Sequence, residues 1–126
     1  MAKKSPTARS LELLREMGYT CQVVEYFHAP SRRRRDFLGC IDIIGAHSVH
    51  GILGVQATDD TDHSKRARKA RGCDLEAWLS HARMEVWSWG LRGPRGERKL
   101  WTCRIERIKV SELTRLALQH IDTRSG

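Results

Sequence analysis

The chain has 126 residues, enough for one domain spanning 1–126 with a real core. Its 23 Lys and Arg against 15 Asp and Glu leave a net charge of +8, which favours a polyanionic partner, nucleic acid first. No apolar run approaches the ~20 residues of a membrane helix, and the opening Met1-Ala2-Lys3-Lys4-Ser5-Pro6 leads into no apolar signal segment, so a cytoplasmic protein with no membrane partner is expected.

Residues 1–6 and 122–126 read as loose tails. Leu11, Leu13, Leu14 and Met17 form an apolar stripe at helical spacing, closed by Gly18, which predicts a helix over about 7–17. Thr20 to His28 is rich in β-branched and aromatic residues and reads as a first strand. Ala29-Pro30-Ser31 breaks it, and Arg32-Arg33-Arg34-Arg35 follows as an exposed hairpin loop. A second strand is expected from about Asp36 to Ala46, apolar on both faces from Leu38 on, as in a central strand. After a turn at 47–51, a third strand covers about Ile52 to Thr58. The polar Asp59-Asp60-Thr61-Asp62 can cap a helix over 63–71, and Asp74 can cap a further segment through about Ala82. Met84 to Leu91 alternates as a fourth strand, Gly93-Pro94-Arg95-Gly96 turns, and Lys99 to Ile108 is a fifth. Ser111 opens a final helix over about 111–120. The order α-β-β-β-α-β-β-α is that of an α+β, mixed α/β sandwich.

Two segments carry the chemistry. Cys40-Ile41-Asp42-Ile43-Ile44-Gly45 places a carboxylate inside an apolar run, which is costly unless the acid has a partner or a metal. Gly54-Val55-Gln56-Ala57-Thr58 places Gln56 and Thr58 two apart, hence on one face of a strand. This arrangement resembles the PD-(D/E)xK superfamily of restriction-endonuclease-like nucleases, with the Holliday-junction resolvases and small phage and bacterial nucleases nearest. In that family a helix, a three-stranded meander, a helix and a strand form the core. An Asp lies on the second strand and an acid-x-Lys pair on the third. The resemblance covers about residues 8–106 and implies a metal-dependent DNA endonuclease using Mg²⁺ or Mn²⁺. Asp42 matches the family's Asp, Gln56 stands at the acid's position and Thr58 at the lysine's. Many relatives act as dimers, so the resemblance extends to a homodimer here.

Gln56 offers a metal only a neutral carbonyl, so another acid is needed. Glu12 on the first helix is one candidate, since resolvase-like relatives place an acid there. Asp36 shares strand parity with Asp42 but would lie roughly 20 Å away along a straight strand. It joins the same metal only if Gly39 marks a sharp bend. Thr58 has no positive charge. Lys65, on the helix after the third strand, is the expected substitute for the missing lysine, with Lys69 one turn on along the same face.

The remaining features have plainer readings. Arg32, Arg33, Arg34 and Arg35, with Lys65, Arg66 and Lys69, are the expected nucleic-acid contacts, DNA before RNA; a solvated basic surface is the bland alternative. Cys21, Cys40, Cys73 and Cys103 form no CxxC pair and read as reduced thiols. His47, His50 and His63 lack an HExxH-like register; a metal role stays open, with surface histidines the preferred reading. Trp87 and Trp89 share a face with Leu91 and read as core. Two other functions stay open: a non-catalytic nucleic-acid-binding module on the same fold, and a basic interaction protein that binds an acidic partner.

Overall fold

A computed structural model of the protein describes residues 3–109. It is a mixed α+β fold around one five-stranded sheet. Helix α1, Pro6–Glu16, starts where Ser5 accepts a hydrogen bond from Ala8 N at 3.1 Å and Pro6 supplies the first-turn φ. Ser5 and Pro6 are therefore part of the helix start rather than of a loose tail. At its other end Gly18 takes φ +92° and Tyr19 N returns to Leu14 O, the left-handed stop that glycine permits.

Strands β1 (Thr20–Val23), β4 (Ile43–His47) and β5 (Gly51–Asp59) form an antiparallel meander, with Ile43 opposite Val55. Helices α2 (His63–Arg71) and α3 (Glu76–His81) then cross over one face. They deliver β6 (Arg83–Arg92) parallel to β5, and β7 (Leu100–Ile108) returns antiparallel to β6. The sheet order is β1-β4-β5-β6-β7.

The sheet has helices on both faces, which explains why β5 and β6 are buried on both sides. On the α1 face, Leu14, Tyr19, Ile43, Leu53, Val55 and Trp87 form one core. On the α2 and α3 face, Cys40, Ile41, Ala67, Leu75, Met84 and Val86 are among the residues of the other. Trp87 and Trp89 are buried as expected, whereas Leu91 beyond them is 55% exposed. Ser88, on the opposite face of the strand, is also buried.

Three expectations need correction. The first strand does not run to His28: β1 stops at Val23, and Tyr26–His28 (β2) leaves the sheet to pair with Arg33–Arg35 (β3) in a separate two-stranded ribbon. The arginine block is therefore one strand of a ribbon plus its turn residue Arg32, not a loop. The second strand begins at Ile43, because residues 37–41 fold into a tight turn bridged between Phe37 and Ile41. The expected helix over 111–120 and the tail at 122–126 lie outside the described residues. Among the described residues, no helix is long and apolar enough to cross a membrane.

Candidate functional site

Three chain segments converge at Asp42. Its backbone N–H donates to Val55 O at 2.9 Å, and its carbonyl accepts from Val24 N at 2.8 Å and Glu25 N at 3.3 Å. Asp42 thus joins the end of β1 to β5, and Glu25 arrives as the residue after that junction. Asp36 arrives by another route. Leu38 (φ +54°) and Gly39 (φ +82°) both take left-handed backbone, and Gly39 N donates to Asp36 O at 3.1 Å. The chain reverses there, so Asp36 returns to Asp42 instead of lying a strand's length away. Glu25, Asp36 and Asp42 each bring a carboxylate oxygen within 4.8 Å of the others.

Two ionised carboxylates at such a separation repel by roughly 3 kcal/mol at an effective dielectric constant near 20. The fold meets this charge in three ways. Arg34 donates to Glu25 Oε1 at 2.9 Å. Lys69 Nζ reaches Asp36 Oδ2 at 3.4 Å. Asp42 holds a proton: its carboxyl is pushed up to about 8, first by burial, then by its hydrogen bond with Asp36 and by that neighbour's charge. The Ala57 N–H, which donates to Asp42 Oδ2 at 2.9 Å, pulls the other way.

Gln56 faces α2 beside these acids. Its Nε2 donates to Asp36 Oδ2 at 3.5 Å. Its Oε1 is buried and has no partner among the described residues, an unusual state for a polar atom of a residue that is 1% exposed. Three carboxylates and a bare amide carbonyl are hard oxygen donors, the ligand type that Mg²⁺ and Mn²⁺ prefer. Thr58 is buried two residues along β5, opposite Ser88; among the described residues no hydrogen bond joins it to the acids.

The remaining expected site residues divide. Glu12 is exposed and paired with Lys4 at 2.8 Å, and the acids gathered at Asp42 are Asp36 and Glu25 instead. Lys65 lies exposed in the first turn of α2; the lysine that touches the cluster is Lys69, one turn on. Arg66 is half-buried. Arg32, Arg33, Arg34 and Arg35 are all exposed on the ribbon whose base is formed by Glu25 and Asp36.

Glu25 was the acid that sequence reasoning missed. The signal was present: Val23-Val24-Glu25-Tyr26 sets a charge in a β-rich run, as Ile41-Asp42-Ile43 does. His63 is corrected as well. It is not a surface residue but 2% exposed, with one ring nitrogen against Ser88 Oγ and the other 2.9 Å from Glu106 Oε1. Glu106 also pairs with Arg71. The His63 hydrogen bond, followed by Arg71, holds the Glu106 carboxyl below its ordinary range. This network ties both ends of α2 to β6 and β7.

Compared with protein-family models, curated proteins and solved structures, the chain finds no match.

Proposed function

We propose that this protein is a divalent-metal-dependent DNA endonuclease of the PD-(D/E)xK type. The observation that carries the reading is the convergence of Glu25, Asp36 and Asp42 within 4.8 Å, beside the unpartnered buried Oε1 of Gln56. A cation there would satisfy a carbonyl left without a donor and would relieve the repulsion of the crowded carboxylates. The element order supports the same reading. A helix, an antiparallel meander, a helical crossover and a parallel strand follow one another, with Asp42 immediately before the middle strand and Gln56 on the next.

In this reading Asp42, Asp36, Glu25 and the Gln56 carbonyl would hold Mg²⁺, which would supply Lewis acidity toward a phosphate and lower the pKa of water. The chain's own residues do the rest. Gln56 Nε2 and Lys69 Nζ fix the Asp36 carboxylate in place. Lys69, on α2, provides the positive charge that Thr58 lacks, at a position where it can meet a phosphate oxygen. Burial of Asp42 and Gln56 keeps bulk water from their oxygens, which strengthens their electrostatic interactions.

A second reading, a nucleic-acid-binding module without catalysis, draws on the neutral Gln56 and Thr58. Cleavage of linear and branched DNA separates the two, run with Mg²⁺, Mn²⁺ or EDTA and with Asp42→Ala beside wild type. Metal-dependent cleavage lost in the variant is expected. DNA binding with no cleavage under any metal would leave the binding module.

A further inference from the structure

We infer that the β2–β3 ribbon enters the major groove of B-form duplex DNA while α2 holds the adjacent backbone, so that the site's substrate is double-stranded DNA rather than a single strand. This deepens the nuclease reading by naming the substrate class, and four observations carry it.

The ribbon grows out of the acid cluster. Glu25 directly precedes Tyr26 at the start of β2, and Asp36 directly follows Arg35 at the end of β3. The ribbon pairs with itself and not with the main sheet. Whatever it grips is therefore presented at Asp42.

Its size and charge fit a groove. Three residues per strand at ~3.3 Å each give a reach of roughly 10 Å, against a B-form major groove about 8.5 Å deep and about 12 Å wide, which admits a two-stranded ribbon. Arg32, Arg33, Arg34 and Arg35 are exposed along it, and Tyr26, opposite Arg35, is 53% exposed.

Cations bracket the acids from two sides. Arg34 reaches Glu25 from the ribbon and Lys69 reaches Asp36 from α2. On α2, Lys65, Arg68 and Lys69 are exposed at helical spacing, a stripe along one face. Two basic arms on either side of a cluster match two stretches of phosphate backbone flanking a groove.

Single-strand recognition uses a series of aromatic platforms for unstacked bases; Tyr26 and Phe37 are exposed near the acids, but the four tryptophans are committed elsewhere. Trp87 and Trp89 are buried, and Trp89 Nε1 donates to Ser10 Oγ at 2.9 Å. Trp78 packs against the core and Phe37. Trp101 lies under Arg9 at 3.8 Å and Lys3 at 4.9 Å.

The test is fluorescence anisotropy of the full chain in EDTA, so that no cleavage intervenes. The probes are a labelled duplex DNA, either of its strands alone, and a duplex RNA of the same sequence. The RNA control matters because an A-form major groove is too narrow and deep to be read. Duplex DNA should bind about tenfold or more tighter than the single strand or the duplex RNA. The double variant Arg33→Ala/Arg35→Ala leaves the Arg34–Glu25 pair intact. It should remove most of that preference and lower the salt slope for duplex DNA by roughly 1–2, and Tyr26→Ala should weaken duplex binding in the same direction. Circular dichroism establishes that each variant is folded. Equal binding of duplex and single strand by wild type would overturn the inference. So would equal losses on all three probes in the folded double variant. Since metal is absent throughout, a failure to cleave DNA in the separate assay bears on the nuclease reading alone.

Discussion

Replacing Asp42 with asparagine separates the charge of the buried acid from its shape. Asparagine keeps an oxygen that can accept from Ala57 N–H, as Asp42 Oδ2 does at 2.9 Å, but it cannot ionise. In the folded protein the Asp42 carboxyl is raised from 3.8 to about 8. Above the unfolded value the native state keeps a proton that the unfolded chain has released, so stability falls as pH rises from about 4 toward about 8 and then levels off. At ~1.4 kcal/mol per pKa unit, this one group removes on the order of 4 kcal/mol by pH 7 and somewhat more by pH 8. Urea unfolding in EDTA, followed by tryptophan fluorescence, to which the buried Trp87 and Trp89 contribute, measures it. Wild type and Asp42→Asn should be similar near pH 4, and the variant should become the more stable protein as pH rises. Other titrating groups, Glu106 among them, are common to both chains, so the difference isolates Asp42 together with the Asp36 carboxyl hydrogen-bonded to it. Adding Mg²⁺ at pH 8 should restore wild type and leave the variant unchanged. Stability curves that stay parallel between pH 5 and 8 would refute the reasoning.

Four further outcomes are expected. Gln56→Glu adds a fourth carboxylate at 1% exposure; it should destabilise the protein in EDTA and tighten Mg²⁺ binding, read by calorimetry. Lys69→Ala should lower single-turnover cleavage far more than DNA affinity, whereas Lys65→Ala should change chiefly affinity, because Lys69 and not Lys65 reaches the acids. Gly39→Ala forces a side chain into φ +82°, with only ordinary contact to Cys73 Sγ at 3.4 Å. It should cost about 1–2 kcal/mol in denaturant unfolding and weaken metal binding by displacing Asp36. His63→Ala leaves Ser88 and Glu106 short of a buried partner and should cost about 1–3 kcal/mol in the same assay.

The elements that sequence periodicity marks strongly are those the fold contains: α1, β5, α2, β6 and β7 lie within a residue or two of expectation. Their order also brought Asp42 and Gln56 near each other, although Asp42 stands one residue before β4 rather than within a strand. What sequence could not supply was the backbone between residues 24 and 42. The turn that returns Asp36 depends on a left-handed Leu38 as well as Gly39, and leucine carries no signal for that conformation. Reading Thr20–His28 as one strand kept Glu25 out of view: Val24 N still bonds to Asp42 O in the β1–β4 register, and the chain then leaves that neighbour so that Tyr26–His28 pairs with Arg33–Arg35, a tertiary event. Lys65 and Lys69 share a helical face, and only the position of Asp36 distinguishes them. His63 is apolar in neither composition nor spacing; its burial follows from Ser88 and Glu106 on two later strands.

The central claim is that Glu25, Asp36 and Asp42 hold a divalent cation together with Gln56. Calorimetric titration of Mn²⁺ into wild type, Gln56→Glu and Asp42→Asn at pH 8 tests it most directly. The account predicts saturable binding to wild type, tighter binding to Gln56→Glu and none to Asp42→Asn. Absence of binding heat in both wild type and Gln56→Glu, with the proteins folded, would contradict it.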